Sequence, residues 1–193
     1  ITRDGVEISV WGNIESSDEA SVILGHGASA VGLFRTEYLF IGRRNMPDEQ
    51  EQYEQYRQIL ETMDGRLATI RTIDLGGDKF TENLRIQGEN NPAMGLRAIR
   101  FCLLRAPEVF RTQLRALLRA SIHGNLRIMV PFVSRLEEIR SAKTILESVK
   151  ADLLEENCPI GDVKFGIMVE LPSAALMLDL IADEIDFVSI GTN

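Results

Sequence analysis

The sequence predicts an α/β fold: a (β/α)8 barrel truncated after about six strands. Three observations predict it. Apolar strand-like runs alternate with helical patterns six times along the 193 residues, and such alternation implies a parallel sheet with crossover helices. Several of the apolar runs end in charge: Arg35 and Glu37 after one, Arg71 and Asp74 after another, Glu170 after a third. In a barrel, the C-terminal ends of the strands are where chemistry is placed. Finally, the chain stops on "SIGTN", directly after an apolar run, where two further units would close a barrel. A doubly wound open sheet is the competing architecture, and the ring of charged strand ends favours the barrel. The whole of residues 1–193 reads as one barrel domain, incomplete at its C-terminal end.

The elements follow in order. Val6 to Ile14 alternates and is rich in β-formers, which predicts a first strand. Ser16, Ser17, Asp18 and Glu19 form a capping-box pattern that opens a helix, and Gly25 to Gly27 closes it. "AVGLF" is the second strand. "PDEQEQYEQYRQILETM" is a helix with acids crowding its first turn, where the helix dipole favours them. Tyr53, Tyr56, Leu60 and Met63 space out one face, and Gly65 follows its end. "RLATIRTIDL" is the third strand. The polar connection from Gly76 to Asn91 has no evident element, and loops of this length are usually functional or disordered.

"NPAMGLRAIRFCLL" predicts a short helix with Arg97 and Arg100 near its start. "PEVFRTQLRALLRASIHG" predicts another, with Pro107 at a first helical position and Val109, Phe110, Leu114, Leu117 and Leu118 inward. Its Arg111, Arg115 and Arg119 fall on one stripe, read as solvated or partner-facing. "LRIMVPFV" is the fourth strand. Ser134 to Glu137 cap a helix running to about Glu156, with Leu136, Ile139, Leu146, Val149 and Leu153 inward. "KFGIMVEL" is the fifth strand, Pro172 opens a helix through "SAALMLDLIADE", and "IDFVSIGTN" is the sixth strand.

Composition excludes several classes. With 45% hydrophobic and 26% charged residues the chain is of ordinary globular type. No apolar run reaches the ~18 residues a membrane span needs. A net charge of −8 argues against non-specific nucleic-acid binding, and clustered arginines in an acidic chain point to a local anion pocket. Cys102 and Cys158 fit no metal spacing and no disulfide framework, and the compartment is read as cytoplasmic. The start at Ile rather than Met reads as a piece of something longer. Arg35, Arg71 and Arg97 are candidates to bind an anion, because guanidinium groups pair bidentately with carboxylate or phosphate. Glu170 with a partner acid would suit a hard divalent cation. His26 and His123 read as ordinary surface or helix-end residues.

Six motifs carry a resemblance. "GLFRTEYLF", "IRTIDLGGDK", "NPAMGLRAIR", "RIMVPFV", "GIMVELPSAA" and "FVSIGTN" stand in the order and spacing found in the phosphoenolpyruvate (PEP)-binding barrel of the PEP-utilising enzymes. "RTIDLGGDK" resembles the enzyme I branch, the PEP–protein phosphotransferases, more than pyruvate phosphate dikinase or PEP synthase. The resemblance implies that Arg35, Arg71 and Arg97 clamp PEP and that Asn193 contacts it. It implies that Glu170 is one of two carboxylate Mg²⁺ ligands, the second following directly after Asn193, and that Asp74 lies near the substrate. It further implies phosphoryl transfer from PEP to a histidine on a separate N-terminal domain, then to a small carrier protein, with release of pyruvate. A homodimer through the barrel is implied as well. The family's later arginine and proton-donating cysteine have no counterpart here, and neither Cys102 nor Cys158 stands in that cysteine's motif. The competing readings are a non-catalytic folding or dimerisation fragment and a metal-dependent lyase of related barrel architecture; a lyase has no need of a phosphate clamp.

Overall fold

A computed structural model describes residues 1–43, 45–76, 91 and 93–192. Gly77 to Lys79 of the third strand's motif, most of the Gly76–Asn91 connection, and Asn193 lie outside the described residues.

Six parallel strands form one sheet: β1 (Trp11–Ile14), β2 (Ala30–Arg35), β3 (Leu67–Arg71), β4 (Asn125–Val130), β5 (Val163–Val169) and β6 (Phe187–Ile190). Their order in space is their order in sequence. A doubly wound sheet reverses its strand order at a switch point, so the sequential order decides for the barrel. The sheet is curled: all six strands contribute side chains to one common cavity of about 630 Å³, the lumen. The result is a partial barrel, as expected of a (β/α)8 barrel truncated after its sixth strand.

The α-helices among the described residues are α1 (Glu19–Gly25), α2 (Glu49–Met63), α3 (Ala98–Leu104), α4 (Pro107–Ala120), α5 (Leu136–Glu155), α6 (Pro172–Leu176) and α7 (Leu178–Ile181). The main core lies between the sheet and this shell. Phe34, Ile70, Leu126, Ile128 and Ile167 from the strands meet Tyr56, Leu60, Phe110, Leu114 and Val149 from the helices. The central strands β3, β4 and β5 are buried over nearly their whole length, which is why they read as unbroken apolar runs rather than alternating ones.

Several boundaries differ from the sequence reading. The first strand begins at Trp11, not Val6, because its partner β2 begins opposite Trp11 at Ala30. Val6, Ile8 and Val10 run on exposed, without a ladder. The third strand ends at Arg71, four residues short of Leu75. The helix expected from Asn91 begins at Ala98, with Arg97 at its N-cap. The helix after Pro172 is broken at Met177.

The caps follow sequence chemistry closely. Asp48 and Glu51 make a complete capping box on α2. At α1 only half forms: the Glu19 carboxylate accepts from the Glu15 and Ser16 amides, and no side chain caps in return. At α5 the partner of Ser134 is Glu138 rather than Glu137. No helix among the described residues is long and apolar enough to cross a membrane.

Candidate functional site

The site is built at the ends of β2 and β3. Arg35 and Arg71 are the last residues of those strands and are register partners. Beyond Arg71 the chain stays extended without joining a regular ladder, and a buried polar network holds it. The Thr36 hydroxyl donates to the Arg71 carbonyl at 2.8 Å. Gln113, reaching in from α4 with no exposed surface, donates to Thr36 and accepts from the Ile73 amide at 2.9 Å. Tyr56 and Gln52 of α2 continue the chain of bonds. A buried amide must find its partners or cost the fold its desolvation, so this network specifies where the Arg71–Asp74 segment lies.

Arg71, Asp74 and Arg97 are thereby brought together. One Asp74 oxygen lies 3.2 Å from Arg71 Nη1, and the other accepts from Arg97 Nη2 at 2.5 Å. Arg71 also pairs with Glu37 through Nη2. The side chains of Arg71, Asp74 and Glu37 are only 8%, 7% and 13% exposed. Arg97 arrives through an isolated bridge between Gly76 and Arg97 and through the Ala98 amide, which donates to the Leu75 carbonyl. Arg35, at the rim, pairs with Glu15 at 2.9 Å. All three arginines, together with Glu37 and Asp74, line the lumen.

Within this cluster Glu37 Oε2, Arg71 Nε and Arg97 Nε are buried and lack a hydrogen-bond partner among the described residues. Burial drives the Glu37 carboxyl above its ordinary pKa, against the opposing pull of Arg71. Asp74 adds to that rise by like charge.

Glu170 follows β5 and faces the same group from the other side. Its Oε1 accepts the Phe132 amide at 2.7 Å. Burial raises its pKa, the Phe132 amide lowers it, Asp74 raises it further, and Arg71 and Arg97 lower it. Gly191 makes room for it: a Cβ there would meet Glu170 Cβ at 2.9 Å. Glu170 is a hard oxygen donor with one carboxylate oxygen committed to Phe132, so its chemistry fits one ligand of a hard cation. Both Asp74 oxygens are committed to arginines. Among the described residues no group of three His, Cys, Asp or Glu side chains is gathered to hold a metal.

Of the predicted site residues, the structure brings Arg35, Arg71, Asp74 and Arg97 to one cavity, with Glu170 beside them, while Asn193 lies outside the described residues. Cys102 is a buried residue of α3, where burial pushes its thiol up to about 12. In the sequence, Glu37 is signalled only by its place two residues after Arg35 at a strand end. Phe132 and Gln113 carry no such signal, one lying in an apolar run and the other on a helix.

The profile of one protein family, described as "PEP-utilising enzyme, PEP-binding domain", matches residues 1–193. Among curated proteins, the chain is 49% identical to a phosphoenolpyruvate-protein phosphotransferase of Staphylococcus epidermidis, matching all of this chain and 34% of that protein. It is 47% identical to the protein of the same name from Geobacillus stearothermophilus, covering all of this chain and 33% of that one. For Listeria monocytogenes the figures are 45%, all of this chain and 34%. The chain thus spans about a third of the length of the curated relatives it matches.

Proposed function

This chain belongs to the family of PEP-binding domains of PEP-utilising enzymes, and from that membership we propose that it is the PEP-binding part of a phosphoenolpyruvate–protein phosphotransferase. The observation that supports this best is the convergence of Arg35, Arg71 and Arg97 on one lumen. PEP carries a phosphate and a carboxylate on one small frame. Planar guanidinium forks suit both groups. Asp74 acts as the internal counter-ion that holds two of the forks in place before substrate arrives.

In the reaction so proposed, the bond from phosphorus to the enol oxygen breaks and a bond from phosphorus to a histidine nitrogen of a separate domain forms. Pyruvate enolate leaves and takes up a proton; the phosphoryl group then passes to a small carrier protein. Such a transfer needs positioning and charge neutralisation more than covalent help. Arg35, Arg71 and Arg97 would hold the anionic ends, and Glu170 would supply one ligand to Mg²⁺, which neutralises phosphate charge when bound. A homodimer and a cytoplasmic location belong to the same reading.

The test is calorimetric titration of the chain with PEP and Mg²⁺. Millimolar or tighter binding, dependent on the cation and lost in Arg71→Ala, is the expected result. Absence of binding here and in a chain extended beyond Asn193 would overturn it.

A further inference from the structure

Four described non-glycine residues have positive φ. Two of them, Asp64 and Asn157, stand just past the ends of α2 and α5, where left-handed residues commonly end helices. The other two, Ala98 (φ 47°) and Phe132 (φ 60°), are packed against each other and against Leu171 in a small cluster separate from the main core. A bulky aromatic residue in this region is a genuine outlier. Such residues persist only where the surroundings hold them, and they gather at working sites.

Phe132 does two things from that conformation. Its amide donates to Glu170 Oε1 at 2.7 Å. Its ring, 5% exposed, lies under two guanidinium groups: Arg97 Cζ at 4.6 Å and Arg100 Cζ at 4.8 Å from the centroid. Both distances are within the range of cation–π attraction. The two arginines differ in their other partners. Arg100 is tied by Glu138 and by the carbonyls of Met94 and Gly95. Arg97 has Asp74 and the Ala93 carbonyl, and its Nε is buried without a partner among the described residues. The ring is therefore a surface against which the plane of Arg97 is seated.

We infer that Phe132 is a positioning residue of this site: its ring seats the Arg97 guanidinium and its amide seats the Glu170 carboxylate, so one left-handed residue sets the spacing between them. The inference rests on the PEP-site reading for its functional consequence. Its geometric content stands without any ligand.

The experiment has two arms on the same chain. In the ligand-free protein labelled with ¹⁵N, the Arg97 Nε–H proton signal, assigned with Arg97→Lys, is expected to be shifted upfield by the ring. The shift should vanish in Phe132→Leu and return in Phe132→Tyr. A normal position in the unsubstituted chain, or one unchanged by Phe132→Leu, overturns the inference. In the second arm, PEP with Mg²⁺ should bind roughly 3- to 30-fold more weakly to Phe132→Leu, the loss of one partly desolvated cation–π contact. Phe132→Tyr should bind within about twofold of the unsubstituted chain. In an Arg97→Ala background, Phe132→Leu should add nothing; an equal loss in both backgrounds means that the ring does not act through Arg97. Phe132→Met serves the same comparisons if the leucine variant fails to fold. Absence of PEP binding throughout counts against the proposed function, while the signal of Arg97 still decides the inference.

Discussion

The chain carries two sets of arginines that look alike in sequence and differ in the fold. On α4, Arg111, Arg115 and Arg119 all find intramolecular partners. Arg111 pairs with Asp152, Arg115 with Glu49 and Glu156, and Arg119 with Glu49. These bonds tie α4 to α2 and α5 across partly solvated ground. At the lumen, Arg71 and Arg97 share Asp74; the side chains of Arg71 and Asp74 are buried and that of Arg97 is 26% exposed, and each arginine keeps an Nε without a partner among the described residues. The first set lies between helices; the second faces a cavity. We read the cavity-facing set as the place for an anion, because guanidinium groups pair bidentately with phosphate and carboxylate.

Removing Arg71 should break this contrast most visibly. Arg71→Ala strips a buried partner from both Glu37 and Asp74, and a destabilisation of about 3 kcal/mol is expected in urea unfolding. PEP binding should fall by at least about a hundredfold, as for loss of one side of a buried charge pair. A variant of native stability and native affinity would show that the lumen arginines are no different from those on α4.

A steric change comes next. Gly191→Ala places a Cβ against Glu170 Cβ, which must move. A shift of this kind should weaken Mg²⁺-dependent PEP binding roughly tenfold by calorimetry, because small misplacements are expensive in a preorganised site. Unchanged affinity would remove Glu170 from the site.

The acids sharpen the comparison through pH. Glu37 and Glu170 both have raised pKa values with burial as the leading cause. In the interval between the ordinary carboxylate value and the raised one, the folded chain binds more protons than the unfolded chain. The stability contributed by this protonation is present below the unfolded value and is lost as pH rises through the folded value. Glu170→Gln keeps an acceptor for the Phe132 amide and removes the charge. Its urea midpoint should exceed that of the unsubstituted chain at neutral pH by a small margin that shrinks toward pH 4, while its response to Mg²⁺ weakens. A midpoint lowered equally at every pH would show that the carboxylate is a structural group only.

The smallest effect is expected on the other side of the comparison. Arg115→Ala should cost about 0.5–1 kcal/mol, diminishing with added salt, and leave PEP affinity as it was. A loss of affinity would show that the helix shell and the lumen are coupled.

Most of the fold was legible because each strand and helix announces itself locally. The capping box of Asp48 and Glu51 is a pattern of neighbouring residues, and so is the apolar stripe of α4. The site was half legible. Arg35, Arg71 and Glu170 stand at the ends of apolar runs, where a charge is conspicuous. Gln113 and Phe132 are conspicuous only from across the fold, since their roles are defined by Ile73 and Thr36 in one case and by Glu170 and Arg97 in the other.

By itself, then, the sequence determined the elements, their parallel pairing and the charges at the strand ends, because those follow from periodicity and from contacts between near neighbours. Only the tertiary structure decided which charges neutralise one another and which polar atoms remain unpaired. Asp74 lies 23 residues from Arg97 and Phe132 lies 38 from Glu170; such partners meet only when the sheet has curled. The same curling trimmed the first strand to the residues that find β2 alongside. A backbone ladder needs a neighbour, and a buried charge needs a counter-charge. Both are properties of the assembled fold.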